Sequence, residues 1–60
     1  MGPLEIQDYA RQLFEAQGDK AIAAAANKAV AFERKGDRPE AAVWRQIEAA
    51  LKLTRGAHES

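Results

Sequence analysis

The 60-residue chain contains no cysteine, only two prolines and four aromatic residues, and its charges cancel. The absence of cysteine excludes disulfides and thiolate metal sites, and the single histidine, His58, cannot form a zinc site alone. The chain has nine basic and nine acidic residues, whereas domains that bind nucleic acid usually carry a net basic surface. We therefore expect no metal, no cofactor and no small-molecule substrate, and we do not favour nucleic acid as the main partner.

Long apolar runs are also missing. No stretch of the chain approaches the roughly 20 apolar residues that span a bilayer, so we expect no membrane partner and a cytoplasmic protein. A chain of 60 residues forms at most one domain, and a domain of that size has a marginal core. We predict a single helical domain over residues 1–60, stabilised by efficient helix packing and by self-association.

The pattern that is present is helical, because alanine is abundant and β-branched residues are few. Two Gly-Asp pairs, at 18–19 and 36–37, each predict a helix end followed by a helix start. In each pair the glycine would adopt the left-handed conformation and the aspartate would cap the next helix. The fold prediction is all-α, a small antiparallel three-helix bundle with helices at about 3–17, 20–35 and 38–55, followed by a flexible tail at 56–60.

A long two-helix hairpin is the alternative fold. Glycine inside a helix costs only about 1 kcal/mol relative to alanine, so the first two helices could be continuous. The first Gly-Asp pair is also the weaker signal, since Ile22 stands where a capping box has Glu or Gln, whereas Glu40 follows Asp37 by three residues.

Apolar residues recur at helical spacing in all three segments, and each set predicts a core-facing stripe. Alanines at 21, 25 and 29 form a row of small side chains that lets a neighbouring helix approach closely. The row has two interpretations, a contact within one chain or the seam of a dimer. The predicted stripes are Ile6, Tyr9, Ala10, Leu13 and Phe14; Ile22, Ala25, Ala26, Ala29 and Phe32; and Ala41, Trp44, Ile47 and Leu51.

The segment "GDRPEAAVWRQIEAALKL" at 36–53 resembles the second helix of a tetratricopeptide repeat, and "AIAAAANKAVAFERKGD" at 21–37 resembles the helix before it. The three-helix microtubule-interacting-and-trafficking domain is similar in layout, and the whole chain resembles small uncharacterised all-helical proteins of bacteria. The resemblance over residues 21–53 implies antiparallel helix packing and peptide binding. Alanines replace the large residues of the first helix in the repeat, and no second copy follows at a period of 34.

Catalytic chemistry has no support in the chain. A covalent mechanism needs a nucleophile, a base and an orienting group, and Ser60, Thr54 and His58 show no spacing that pairs them. Gly18 and Gly36 are isolated, so there is no glycine-rich phosphate loop. We predict no catalytic residues and a protein that is not an enzyme.

The leading hypothesis is a protein–protein interaction module that associates with itself as a homodimer. The alternative is a monomeric adaptor that accepts a helical peptide or protein in a groove between helices. Trp44 could fill the core or act at an interface, where tryptophan is enriched, and Phe14 and Leu53 are the residues most expected to be exposed. The predicted interaction residues are Phe14, Phe32, Trp44, Ile47, Leu51 and Leu53.

Four basic residues lie around the second Gly-Asp pair: Arg34, Lys35, Arg38 and Arg45. Their ordinary role is to complement the negative end of a helix dipole and to be solvated. The functional alternative is an anion contact in a nucleic-acid-binding accessory protein.

Overall fold

The computed structural model describes residues 2–58, apart from the side chains of residues 3, 57 and 58. Three α-helices fill this part of the chain: α1 (Pro3–Gln17), α2 (Lys20–Lys35) and α3 (Arg38–His58). All three pack against one another in a compact bundle, and residues 2–58 contain no strand. The predicted three-helix bundle is confirmed, and the alternative two-helix hairpin is wrong because the chain breaks at Gly18.

The first joint differs from its prediction. Gly18 has φ 63° and ψ −140°, which is not the left-handed helical conformation but is close to the first central position of a type II′ turn. Its N–H donates to the Phe14 carbonyl at 2.7 Å, and its carbonyl accepts from the Ala21 N–H at 3.0 Å. Asp19 already has helical dihedral angles and its side chain forms no cap hydrogen bond. Gly18 therefore ends α1 and forms the turn before α2, and the predicted cap by the Asp19 side chain is wrong.

The second joint has the geometry that its sequence predicts. Gly36 is left-handed, with φ 79° and ψ 12°. Its N–H donates to the Glu33 carbonyl at 3.1 Å, and the Asp37 N–H donates to the Phe32 carbonyl at 2.9 Å, which together form a Schellman motif. Asp37 Oδ1 accepts from the Glu40 N–H at 3.3 Å. Since the Asp37 N–H closes α2, only this half of the predicted capping box forms.

The core lies where α3 crosses the other two helices. Its buried cluster consists of Ile6, Ala10, Ala21, Ala25, Ile47 and Leu51. Among the described side chains, the large ones that are fully buried, Ile47 and Leu51, both belong to α3, while α2 supplies alanines. The row at 21, 25 and 29 is buried within one chain, so it is used for the contact inside the bundle and not as a dimer seam.

Two details of the predicted helices change. The buried line of α2 is the alanine row itself, and Ile22, Ala26 and Phe32 lie beside it, half-buried. α3 runs through Gly56 to His58, three residues past its predicted end, because a single glycine near a helix end costs too little to stop it. Of the predicted tail, residues 56–58 are helical, and residues 59–60 and the His58 side chain lie outside the described residues.

Membrane insertion finds no support among residues 2–58. None of the helices there combines the length and the apolar character that crossing a bilayer requires.

Candidate interaction surface

The six predicted interaction residues separate into buried and accessible groups. Ile47 and Leu51 are 1% and 0% exposed, so their side chains hold α1, α2 and α3 together within one chain. With the bundle closed, a partner would meet almost none of either side chain. Their assignment to an interface is therefore corrected: their helical period identified the core of a single chain.

Trp44 lies between the other two helices and is half-buried. The Tyr9 ring of α1 meets it edge to face, with ring centroids 6.1 Å apart and an interplanar angle of 71°. From α2, the Lys28 Nζ stands 5.4 Å from the centroid of the Trp44 ring. Beside this pair an open groove of about 420 Å³ is lined by Tyr9, Glu40, Val43, Trp44 and Ile47. Trp44 thus serves the core and also borders a groove.

The two phenylalanines are half-buried. Phe14 packs against the core cluster from α1. Phe32 lies near the end of α2, where the Lys35 Nζ stands 5.6 Å from the centroid of its ring. Neither ring projects freely into solvent, so the predicted exposure of Phe14 is only partial.

Leu53 is the predicted interaction residue that the fold leaves open, with 77% of its surface exposed. It lines a groove of about 260 Å³ between α1 and α3. Leu4, which is 78% exposed, lies one helical turn before Gln7, a residue on the opposite wall of that groove. The groove residues are Gln7, Arg11, Ala50, Leu53 and Thr54.

One line of exposed residues on α3, which ends at Leu53, carries no charge. Four exposed residues, Ala42, Gln46, Ala49 and Leu53, follow one another at spacings of four, three and four, which places them on one line of the helix. We call them the α3 strip. Along its α2 side, basic residues recur every seven positions at Arg38, Arg45 and Lys52.

The exposed side of α1 has the same spacing and a different character. Leu4, Asp8, Arg11 and Glu15 are all exposed, and we call them the α1 strip. Helix α1 carries three acidic residues and one basic residue, a net charge of −2, whereas α3 carries four basic and two acidic residues, a net charge of +2 with His58 neutral. The two strips thus lie on neighbouring helices of opposite charge.

One ion pair links α3 to α2, and two more continue it along α3. Arg45 donates from Nη2 to Glu33 Oε1 at 3.1 Å and from Nε to Glu33 Oε2 at 3.4 Å. Its Nη1 donates to Glu48 Oε1 at 3.1 Å, and Lys52 Nζ lies 3.4 Å from Glu48 Oε2. The last contact is an i,i+4 pair within α3.

These ion pairs shift the pKa of two groups. Hydrogen bonds from Arg45 lower the pKa of Glu48, and Lys52 adds to that shift while partial burial opposes it. The hydrogen bond to Glu33, followed by the one to Glu48, raises the pKa of Arg45. Glu48 is therefore ionised in the folded protein to a lower pH than in the unfolded chain.

The predicted anion contact is only partly assembled. Arg38 and Arg45 line one groove of about 460 Å³ beside Gly36, Ala41 and Ala42. Glu33 lines that groove as well, and its carboxylate already binds Arg45. Arg34 is exposed on α2 outside this lining, and Lys35 stands over the Phe32 ring. The four basic residues do not converge on one unoccupied position.

The α1 strip was not predicted from the sequence. The prediction followed the apolar stripe that faces the core, and the α1 strip lies on the opposite side of the helix. The sequence does contain a signal for this surface. Leu4 is an apolar residue outside the α1 stripe that begins at Ile6, and Leu53 is one outside the α3 stripe that ends at Leu51. Exposed apolar residues outside the core stripe are typical of interaction surfaces.

Metal chemistry has no visible basis in the described part of the chain, where no three His, Cys, Asp or Glu side chains gather closely enough to hold an ion. No protein-family model matches the sequence, and neither a curated protein nor a solved structure matches it. The resemblances to the tetratricopeptide repeat and to bacterial helical proteins stay predictions.

Proposed function

We propose that this protein is a small, non-catalytic, helical protein–protein interaction module that associates with itself. The observation that carries the proposal is the exposure of Leu4 and Leu53, at 78% and 77%. Leu53 lines the α1–α3 groove, and Leu4 lies one helical turn before Gln7 of its other wall. Burial of apolar surface contributes about 25 cal/mol per Å². A self-associating chain would cover these leucines, which its own fold leaves in water.

The proposed module differs from the sequence-based one in where it binds. Ile47, Leu51 and the alanine row are used inside one chain, so the interface consists of surface that remains after the bundle has closed. The hairpin of α2 and α3 agrees with the tetratricopeptide-like layout of residues 21–53, in which antiparallel helices present a surface to another protein.

Sedimentation velocity tests self-association. Across a dilution series from high to low micromolar concentration, we expect the sedimentation coefficient to fall from the dimer value to the monomer value. The melting temperature should fall over the same range, because dimerisation stabilises the folded state by mass action. A monomer at every concentration, with an unchanged melting temperature, contradicts the proposal.

The groove beside Tyr9 and Trp44 favours a second candidate, a monomeric adaptor for a helical segment of another protein. Helical peptides bind grooves through apolar anchors spaced by three and four residues, and tryptophan and tyrosine are frequent at such contacts. The adaptor gains support if the protein sediments as a monomer and captures a host protein that the Tyr9→Ser variant fails to capture.

A further inference from the structure

We infer that the occupant of the α1–α3 face is a second copy of this chain, arranged so that the α1 strip of each copy packs against the α3 strip of the other. The inference rests on the proposed self-association and adds its surface and arrangement. In this arrangement Leu4 of one copy meets Leu53 of the other, twice, about a twofold axis. Homodimers of this kind use the same patch on both subunits.

Charge complementarity selects a second copy for this face. The α3 strip is uncharged and has basic residues along its α2 side, at Arg38, Arg45 and Lys52. Arg45 and Lys52 also contact Glu33 and Glu48 of their own chain. The α1 strip carries Asp8 and Glu15, which are separated by the same seven positions, with Arg11 between them, so its net charge is −1. A helix of net charge −2 thus lies over a helix of net charge +2 at both halves of the interface. Pairing α3 with α3 would instead bring basic edges together, which is unfavourable.

The small residues of the α3 strip suit this packing. Ala42 and Ala49 present little more than the helix backbone, so a second helix can approach to the lower end of the roughly 8–10 Å range of helix separations. The four helices α1 and α3 of the two copies would form a four-helix layer, in which α2 stays on the outside of each copy. The groove beside Leu53 would then lie within the interface.

The size of the molecule requires a whole face rather than a single contact. A standard interface buries about 800 Å² from each partner, which is roughly a fifth of the 4331 Å² surface of this chain. Two exposed leucines alone cannot supply that area. When α1 and α3 of one copy pack against α3 and α1 of the other, the contact extends along the whole length of both strips.

Complementary charge-swap variants test the arrangement. The first carries Asp8→Lys with Glu15→Lys, and the second carries Arg38→Glu with Lys52→Glu. Each variant alone would place like charges across both halves of the interface, and we expect its dimer dissociation constant to rise at least about tenfold at low ionic strength. An equimolar mixture restores opposite charges at both halves, so we expect a heterodimer with near wild-type affinity.

The control is Lys20→Glu with Arg34→Glu, which changes the net charge as the second variant does but on exposed positions of α2. Helix content from circular dichroism verifies that each variant is folded, and sedimentation of the wild type shows whether it dimerises at all. If the wild type dimerises but the mixture associates no better than either variant alone, or the control is weakened equally, this arrangement is overturned while self-association stands. A monomeric wild type overturns both.

Discussion

Single residues decide where this chain turns. The two Gly-Asp pairs look alike in sequence, but their glycines adopt different backbone conformations. The ψ angle is −140° at Gly18 and 12° at Gly36. Gly36 has the left-handed helical conformation that asparagine also tolerates, whereas the conformation of Gly18 lies in a region that is costly for any residue with a Cβ atom. Space is not the constraint, since a Cβ atom at either glycine would meet nothing within 4 Å.

Asparagine substitutions distinguish the backbone conformations of the two glycines. We expect Gly18→Asn to lower the free energy of unfolding by about 1–3 kcal/mol, the usual cost of a strained backbone conformation, and Gly36→Asn to lower it by less than about 1 kcal/mol. Urea denaturation measures both. Gly56→Ala is the control: Gly56 lies inside α3 without a positive φ, so this change should be neutral or stabilising by up to about 1 kcal/mol. Equal losses at 18 and 36 would contradict the assigned conformations.

Caps show the same dependence on local geometry. Asp37 caps α3 because Gly36 leaves it outside both helices, with Oδ1 directed at the Glu40 N–H. Asp19 stands in the equivalent place in sequence, but its dihedral angles are already helical and its carboxylate forms no cap hydrogen bond. A capping residue therefore needs both the right side chain and the right backbone angles.

At the scale of the elements, the α2–α3 hairpin is held by apolar packing inside and by ion pairs outside. Arg45 binds Glu33 through two donors, which fixes the direction of its planar guanidinium group. The resulting chain from Glu33 through Arg45 and Glu48 to Lys52 runs along the surface. Exposed ion pairs contribute little individually to stability. The apolar packing therefore stabilises the hairpin, and the ion pairs add only a small amount.

The pH dependence of stability reports this network. Because the pKa of Glu48 is lower in the folded protein than its ordinary value of 4.5, its contribution is present above pH 4.5 and is lost as the pH falls through the folded-state pKa. We expect Glu48→Gln to be less stable than the wild type at pH 7 and the difference to shrink towards pH 3. Urea denaturation at a series of pH values measures it. A constant difference from pH 7 to pH 3 would show that the carboxylate charge is not involved.

At the scale of the whole molecule, the bundle is complete within one chain but small. Its core contains two large, fully buried side chains, Ile47 and Leu51, surrounded by alanines and by half-buried rings. A domain of this size has little stability to lose, since typical domains are stable by only about 5–15 kcal/mol. Covering Leu4 and Leu53 through self-association would add stability that the core does not supply.

Substitutions at two leucines of α3 distinguish the core from the proposed interface. Leu51→Ala removes a side chain that is 0% exposed, and we expect it to cost about 2–5 kcal/mol. Leu53→Ala removes one that is 77% exposed, and at concentrations where the protein is monomeric it should change stability by less than about 0.5 kcal/mol. Thermal denaturation of dilute samples measures both. A large loss for Leu53→Ala under those conditions would mean that Leu53 belongs to the monomer core.

The helices, their order and most of their inward positions could be predicted from the sequence. Alanine content, the period of Ile6, Ile47 and Leu51, and the Gly36-Asp37 signal are local features, and local conformational preferences act on them directly. The candidate interface could not be predicted in the same way. Ile47, Leu51 and Leu53 are apolar neighbours in sequence, and only the positions of α1 and α2 determine that the first two are enclosed and the third remains in water.

By itself, the amino-acid sequence determined that this chain forms three helices and where two of its turns fall, because those outcomes depend on energies within a few residues. Only the tertiary structure decided that the Asp19 side chain does not cap α2, that Arg45 is bound by Glu33, and that an uncharged strip of α3 lies beside an acidic α1. These features depend on where one helix meets another, and the free energy of such contacts arises between residues that are far apart in the chain.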